Sequence, residues 1–185
     1  MTHWYPRRVA SYPIRVLGDP VLKQRSRTVE ELDGALATLV DTMYTTMYDA
    51  VGLGLAAPQV GVRKRLFTYD VGDGPRVLIN PEVVEAAGEV GFEEGCLSIP
   101  GLRFEVRRPE RITARGIGLD GREEIFEDDD MLARVFQHEL DHLDGLLLID
   151  RLDPEARKQA LRELREIDLT AAAQAAREPG DGPRL

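Results

Sequence analysis

Two histidines spaced four residues apart, His138 and His142, are the side chains of this chain that most clearly suggest metal chemistry. They occur in the segment "FQHELDHLDG", residues 136–145, as an H-E-x-x-H pattern. Residues four apart are neighbours on one face of a helix, so both imidazoles can converge on one ion. The alternative is that both are ordinary helix residues and the pattern is accidental.

The residue between the histidines favours the metal interpretation. One helical stripe of this segment is apolar: it contains Leu132, Val135, Phe136 and Leu143. Glu139 occupies the next position on the same stripe, and a carboxylate directed at a core is costly unless something compensates it. A bound divalent cation and a water molecule would do so, and we therefore expect a metal site.

A catalytic metal site needs a third protein ligand, and Cys96 is the best candidate in this chain. Such a site also keeps one position free for water. The remaining histidine, His3, lies in an irregular N-terminal segment, whereas Cys96 follows Gly95 in "EEGCLSIPG". A lone cysteine is commonly just a small buried apolar residue. Glycine beside it suits a tight turn, and a nearby cation would deprotonate its thiol.

Three segments have the pattern of helices that could position these residues. The first covers 28–52 and opens on Thr28, which has capping-box spacing to a glutamate. The second carries the two histidines; it begins near 128–130, where acidic side chains suit a helix N-terminus, and stops at Gly145. The third covers 153–178 and has leucine and isoleucine residues along one side.

Strand patterns lie between the first two helices. They occur at 65–71 and 77–79, which the turn "GDGP" separates, and at 111–119 and 122–126, which flank "DG" as in a hairpin. The stretch "GLGLAAPQVG" is too rich in glycine and proline to predict a regular element. Strands enclosed by long helices predict an α+β fold.

Composition and charge exclude several other classes of protein. The chain has 185 residues, which predicts one domain over 1–170 and a C-terminal tail over 171–185 that is partly flexible. With 24 basic against 33 acidic residues, a surface of net charge −9 gives no reason to expect binding to nucleic acid or to anionic membrane. We find no apolar run long enough to span a bilayer and no secretory signal pattern, so we expect a cytoplasmic protein.

Three segments together resemble the signature motifs of the peptide deformylases. They are "GLGLAAPQVG" at 52–61, "EGCLSIPG" at 94–101 and "QHELDHLDG" at 137–145, in the family's order. The resemblance implies a compact α+β domain in which the metal-bearing helix lies against antiparallel sheets. The amphipathic C-terminal helix is similar to that of the bacterial type I subgroup.

The resemblance also implies a ligand set and a metal. Cys96, His138 and His142 would hold one divalent ion, natively Fe²⁺, for which Zn²⁺, Ni²⁺ or Co²⁺ can substitute. The residues alone leave the metal open, because a cysteine with two histidines suits both iron and zinc.

A reaction is implied at the same positions: removal of the formyl group from N-formyl-methionyl peptides, the nascent chains, with release of formate. Water with a pKa lowered by the cation would attack the formyl carbon, and Glu139 would carry its proton to the leaving amine. The side chain of Gln59 and the backbone N–H of Leu97 would donate to the developing oxyanion. The backbone of Gly54 would accept a hydrogen bond from the formamide N–H.

Further positions would contact the rest of the substrate. Arg103 matches a family position that contacts the peptide backbone. Phe92, Leu53 and Val135 are candidates, by position, for the apolar pocket that takes the methionine side chain. Arg134 stands where some family members have an aliphatic residue near that pocket, and this departure bears on the shape of the pocket mouth.

Two other functions compete with this interpretation. A zinc metallopeptidase also uses H-E-x-x-H, and its third ligand could be Glu163 or Glu166, although both lie in a charged helix. A structural metal in a binding module would need a closed site, usually with four protein ligands. Docking of the C-terminal helix on the ribosome is a further prediction, although its charges balance over 151–178, six basic against six acidic.

Overall fold

Seven β-strands and three α-helices make up residues 11–175, the part of the chain that the structure, a computed structural model, describes. The strands are β1 (Gly54–Ala56), β2 (Leu66–Tyr69), β3 (Arg76–Ala87), β4 (Val90–Cys96), β5 (Ile99–Arg108), β6 (Arg111–Ile117) and β7 (Glu123–Asp128). The helices are α1 (Gly34–Asp49), α2 (Met131–Leu143) and α3 (Pro154–Ala175). This combination confirms the predicted α+β class.

All strand pairs are antiparallel, and they form two sheets. The larger sheet has five strands in the order β1-β2-β3-β6-β7, and β4 pairs with β5 in a separate hairpin. The predicted hairpin around "DG" is confirmed as β6 and β7, whose paired residues run from Ile112 with Asp128 to Ile117 with Glu123.

Helix α2 packs on the larger sheet and places the H-E-x-x-H pattern beside it. Its buried apolar residues join Phe67 and Leu78 of the sheet in one core cluster; they are Ala133, Val135, Phe136 and Leu143. Helix α1 packs against β1 and β2 in a second cluster. A third cluster joins Cys96 and the β4–β5 hairpin to the start of α3. The hairpin, which carries Cys96, and α2, which carries the two histidines, are thus anchored in separate clusters.

Helix α2 begins and ends close to the predicted positions, 128–130 and Gly145. The Asp128 carboxylate accepts hydrogen bonds from the backbone N–H groups of Asp130 and Ala133, at 2.8 and 2.9 Å, which explains the acidic residues there. Gly145 follows the helix with φ of 78°. A Cβ at Gly145 would lie 2.9 Å from the backbone of Lys23, so this close approach requires glycine.

Two predicted boundaries were wrong for local reasons. Helix α1 begins at Gly34 and not near Thr28, because the Asp33 carboxylate accepts the N–H of Leu36 at 2.8 Å and so caps the helix there. Strand β3 continues past Pro81 to Ala87. The register shifts at this proline, where a missing N–H can be tolerated, so the strand does not end.

The glycine-rich regions contain regular structure that the sequence did not indicate. The stretch "GLGLAAPQVG" includes β1 and a 3₁₀-helix over Ala57–Val60, and the β4–β5 hairpin was not predicted at all. The third helix, predicted over 153–178, is α3 over Pro154–Ala175, and residues 176–185 of the predicted tail lie outside the described part. Within 11–175, the structure has no helix long and apolar enough to cross a membrane.

Candidate metal centre and substrate pocket

Cys96, His138 and His142 lie close enough together to hold one metal ion. One donor atom from each residue lies within 4.8 Å of the other two. The Cys96 sulfur is 3.3 Å from Nε2 of His142, and the two imidazole centroids are 5.1 Å apart. The fold brings them together because Cys96 ends β4 while the histidines occupy successive turns of α2.

Each histidine has a defined electrostatic environment. Nδ1 of His138 lies 2.9 Å from Oε2 of Glu94, so Nε2 is the nitrogen left for a metal. Burial opposes protonation of His138, but its contacts with Cys96 and Glu94 outweigh burial and raise its pKa well above the usual value. A cation at this ring would displace that proton. Burial, with the charges of His138 and Arg108, lowers the pKa of His142, which favours the neutral, metal-binding ring.

A buried network of charges supports the first histidine. The Arg108 guanidinium donates to both carboxylate oxygens of Glu94 and, at 2.9 Å, to Oδ2 of Asp141. Arg151 also donates to Asp141. Burial alone would raise the pKa of Glu94, but the hydrogen bonds from His138 and Arg108 lower it to about 2. Glu94 therefore stays ionised and can hold the His138 ring in one orientation.

Glu139 lies beside the three donor atoms without contributing to that group. Its side chain is buried, and its Oε2 has no hydrogen-bond partner among the described residues. Burial is the main reason that the pKa of Glu139 rises to about 7. A bound cation would lower this value again. A buried carboxylate oxygen without a partner is costly, so this atom suits a role toward a water molecule or a substrate.

Gly54 closes one side of this carboxylate. A Cβ at Gly54 would lie 2.5 Å from Oε1 of Glu139 and 2.9 Å from Cγ1 of Val135. The backbone of β1 can therefore approach Glu139 only because residue 54 has no side chain. This contact gives a physical reason for glycine here, in a stretch where each glycine could have been a simple turn residue.

Gln59 is buried next to the cysteine. Its Oε1 accepts the backbone N–H of Ala56 at 2.8 Å, which fixes the side chain at the start of the 3₁₀-helix. Its Nε2 lies 3.2 Å from Oγ of Ser98 and 4.0 Å from the Cys96 sulfur. Leu97 and Ser98 form the tip of the β4–β5 hairpin, directly after Cys96. The amide donor of Gln59 thus faces both the hairpin tip and Cys96, the third candidate ligand.

One pocket of about 710 Å³ opens onto Cys96, His138 and Glu139. Its wall includes Leu53, Phe92 and Val135, the three predicted apolar contacts, together with Arg103. Arg103 is exposed at the rim, where its Nε lies 4.0 Å from the carboxylate of Glu93. The structure therefore brings all four predicted substrate positions to one cavity.

Arg134, which departs from the family pattern, lies in the wall of this pocket. Its guanidinium carbon lies 4.3 Å from the centroid of the Phe92 ring, and it donates to Asp130 at 3.2 Å. The guanidinium of Arg134 thus covers one face of the Phe92 ring and places a positive charge in the pocket wall.

The donor set fits a divalent cation. One thiolate and two imidazoles are ligands that iron and zinc both accept, and an adjacent carboxylate outside the ligand group is typical of a catalytic site that keeps a position for water. Glu163 and Glu166, the alternative third ligands, are absent from the metal-binding group found among residues 11–175. The arrangement can therefore polarise a water molecule and accept its proton.

Reasoning from sequence missed the residues that hold the ligands in place. Glu94, Arg108, Asp141 and Ser98 were not singled out. For Glu94 a signal existed: it lies two residues before Cys96, and alternate residues of a strand share a face. Arg108 and Asp141 had no such signal, because their contacts join residues 14 and 33 positions apart in the chain.

The chain matches the model of the polypeptide deformylase family over residues 11–158. It is 51% identical over 139 residues to peptide deformylase 1 of Clostridium acetobutylicum, which covers 75% of this chain and 93% of the relative. It is 47% identical over 160 residues to the peptide deformylase of Acidothermus cellulolyticus, covering 86% and 89% of the two chains.

Solved structures agree with this relationship. The crystal structure of a peptide deformylase from Legionella pneumophila superposes with a TM-score of 0.84 at 40% identity. The match covers 92% of this chain and 100% of the other. Likeness of this extent covers the whole arrangement of the five-stranded sheet, the β4–β5 hairpin and helix α2.

Proposed function

This chain belongs to the polypeptide deformylase family and removes the N-formyl group from newly synthesised peptides, and we propose that the centre around Cys96, His138, His142 and Glu139 performs this reaction. The observation that carries the proposal is the meeting of one sulfur and two imidazole nitrogens within 4.8 Å beside a buried carboxylate oxygen that has no hydrogen-bond partner among the described residues.

Cys96, His138 and His142 hold one divalent metal ion, and we propose Fe²⁺ as the native one, with Zn²⁺, Ni²⁺ or Co²⁺ able to substitute. When bound, the cation supplies Lewis-acid activation of a water molecule. Glu94 orients the ring of His138 through Nδ1, at 2.9 Å, and thereby directs Nε2 to the metal.

Glu139 acts as the proton carrier. As the water oxygen bonds to the formyl carbon, Oε2 of Glu139 accepts a proton from that water. Glu139 then returns the proton to the amine nitrogen as the carbon–nitrogen bond breaks. The second proton of the water also passes from the formic acid to the amine, so the products are formate and a peptide whose methionyl N-terminus is an ammonium, and atoms and protons balance.

The formyl oxygen gains negative charge in this step, and two donors on the chain stabilise it. One is Nε2 of Gln59, which carries two hydrogens and can keep its contact with Ser98 while donating a second bond. The other is the backbone N–H of Leu97 at the hairpin tip. The backbone of Gly54 accepts the formamide N–H and so sets the orientation of the bond that breaks.

The pocket beside the centre binds the methionine side chain. Leu53, Phe92 and Val135 supply its apolar wall, and Arg103 at the rim contacts the peptide backbone. Nascent chains are the partners, and we propose that the protein works in the cytoplasm, where they emerge. Association with the ribosome stays a prediction, and the balanced charges of the C-terminal helix give it no electrostatic support.

One experiment tests the proposal as a whole. Protein purified without oxygen is supplied with formyl-Met-Ala-Ser, formate release is measured, and the same sample undergoes elemental analysis. We expect formate release from formyl-Met-Ala-Ser and about one metal ion per chain, mostly iron. Cleavage of an internal peptide bond without formate release would instead support a zinc metallopeptidase and overturn the proposal.

A further inference from the structure

Val51 has a backbone conformation that valine rarely adopts. Its φ is 56°, in the left-handed region, where the branched Cβ crowds the backbone. It follows the C-cap of α1, and two hydrogen bonds close the helix around it: Val51 N–H to the carbonyl of Tyr48 at 3.0 Å and Gly52 N–H to that of Met47 at 2.9 Å. This is a Schellman motif, and its left-handed position usually holds glycine or asparagine.

Neither packing nor local hydrogen bonding accounts for a valine there. The side chain is 90% exposed, so it gains almost no burial that could offset the strain. Asn80, the other non-glycine residue between 11 and 175 with positive φ, is explained differently. Asparagine tolerates this conformation, and its side chain bonds both the N–H and the carbonyl of Val29 at 2.9 Å.

The position of Val51 suggests a use for its side chain. Val51 and Leu53 both line the mouth of the substrate pocket, and Leu53 is also 48% exposed. The glycines that flank Leu53 hold this segment tightly in place: a Cβ at Gly52 would lie 2.9 Å from Cδ1 of Leu97, and Gly54 abuts Glu139. Two exposed apolar side chains therefore stand on a fixed segment next to the proton carrier.

This part of the pocket rim differs in chemistry from the part that the β4–β5 hairpin forms. Glu93 and Arg103 of the β4–β5 hairpin form a charged, exposed pair on the pocket wall, whereas Val51 and Leu53 present only aliphatic groups. A polypeptide that leaves the pocket in extended form has side chains on alternating sides. One rim therefore suits its backbone and polar groups, and the other suits an apolar side chain.

We propose that Val51 is a specificity-determining contact for the polypeptide beyond the formyl-methionine, and that it favours substrates with aliphatic residues there. The inference rests on the proposed deformylase function. The occupant is the substrate chain itself, because the Val51–Leu53 rim is continuous with the pocket that takes the methionine. In this chain, valine occupies a position where glycine would relieve strain.

Two substitutions separate the side chain from the backbone. Val51→Gly removes the side chain and the strain, whereas Val51→Asn keeps a left-handed-tolerant side chain of similar size but removes the apolar surface. The measurement is kcat/KM for formyl-Met-Leu-Leu-amide divided by that for formyl-Met-Ser-Ser-amide. We expect this ratio to fall about fivefold in both variants, the size expected from losing part of one aliphatic contact, and to fall through KM.

A second readout does not depend on activity. Relief of strain should raise the Tm of Val51→Gly by about 2–4 °C, a shift typical of a small stabilisation in a chain of this size. Val84→Ala is the matched control, because Val84 is a half-exposed valine on β3 outside the pocket wall. It should leave the peptide ratio unchanged.

The outcomes distinguish this inference from the function on which it rests. If the wild-type protein releases formate and both Val51 variants keep the wild-type ratio, the substrate contact is wrong while the deformylase function stands. An unchanged or lower Tm in Val51→Gly would overturn the strain argument. If the wild-type protein releases no formate from either peptide, the proposed function fails and this inference fails with it.

Discussion

Oε2 of Glu94 lies 2.9 Å from Nδ1 of His138, although the two residues belong to different elements. Helix α2 and the hairpin that carries Cys96 pack in separate core clusters, and this contact links them directly beside the candidate metal centre. It fixes which nitrogen of His138 faces a metal, and Arg108 in turn fixes Glu94.

Replacement of Glu94 should therefore damage the centre without touching a ligand. In Glu94→Gln, the buried Arg108 loses one of its two negative partners and keeps only Asp141, and we expect a loss of unfolding free energy of about 3 kcal/mol. Metal affinity should fall roughly 10–100-fold, since His138 loses its orienting carboxylate. Metal content after dialysis and Tm measure both effects.

Glu93→Gln is the matched control, because Glu93 is the adjacent residue but is exposed and paired loosely with Arg103. It should retain metal and stability. Equal metal retention in both variants would contradict an orienting role for Glu94.

A change of Glu139 should separate metal binding from turnover. The carboxylate lies outside the group of metal donors, and its Oε2 is free to accept a proton. Glu139→Gln should therefore bind close to the wild-type amount of metal, while kcat falls roughly 10²–10⁴-fold through loss of the proton carrier. Loss of metal along with activity would mean that Glu139 holds the site together and is not the proton carrier.

Removal of the amide donor of Gln59 should slow the chemical step. In Gln59→Leu we expect kcat to fall about 10²–10³-fold, with a smaller change in KM, because an oxyanion needs the donor more than the ground-state carbonyl does. Stability should also fall by about 1–3 kcal/mol, because the Ala56 N–H loses its buried acceptor.

Ser98→Ala is the control for this prediction. It removes the neighbour of the Gln59 donor but leaves the donor itself in place, so kcat should fall less than tenfold. Similar values of kcat in Gln59→Leu and the wild type would show that this side chain has no catalytic role.

Gly54 offers a test of the close contact between β1 and the proton carrier. Gly54→Ala would place a methyl group 2.5 Å from Oε1 of Glu139, so the carboxylate must move and turnover should drop by at least about tenfold. Gly34→Ala is the matched control, because a Cβ at the start of α1 meets nothing within 4 Å. It should be neutral or slightly stabilising. Full activity of Gly54→Ala would contradict the proposed geometry at Glu139.

Sequence patterns predicted the features of the structure that depend on neighbouring residues or on residue chemistry. The spacing of apolar residues around Glu139 predicted the buried face of α2, and Gly145 predicted its end. The predicted start of α1 was wrong, because Thr28 and Asp33 are both acceptable N-cap residues and lie close together. Only tertiary contacts decide that Asp33 caps the helix.

The remaining features depend on contacts that no short window of sequence contains. Strands β4 and β5 contain glycine and proline, which weaken a strand pattern, yet they pair because their apolar residues pack in the third core cluster. The ion pair of Arg108 with Glu94 joins β5 to β4, and that of Arg108 with Asp141 joins the hairpin to α2, so both depend on residues far apart in the chain. The strained Val51 was invisible for the same reason, since a sequence carries no direct record of φ.

The central claim is that Cys96 completes a catalytic metal site with His138 and His142. The most direct test is Cys96→Ala, purified without oxygen beside the wild type, with metal per chain and formate release from formyl-Met-Ala-Ser measured on the same samples and the fold checked by circular dichroism. We expect about one metal ion and rapid formate release in the wild type, and the loss of both in a folded Cys96→Ala protein. A folded variant that keeps its metal and still releases formate would contradict the claim.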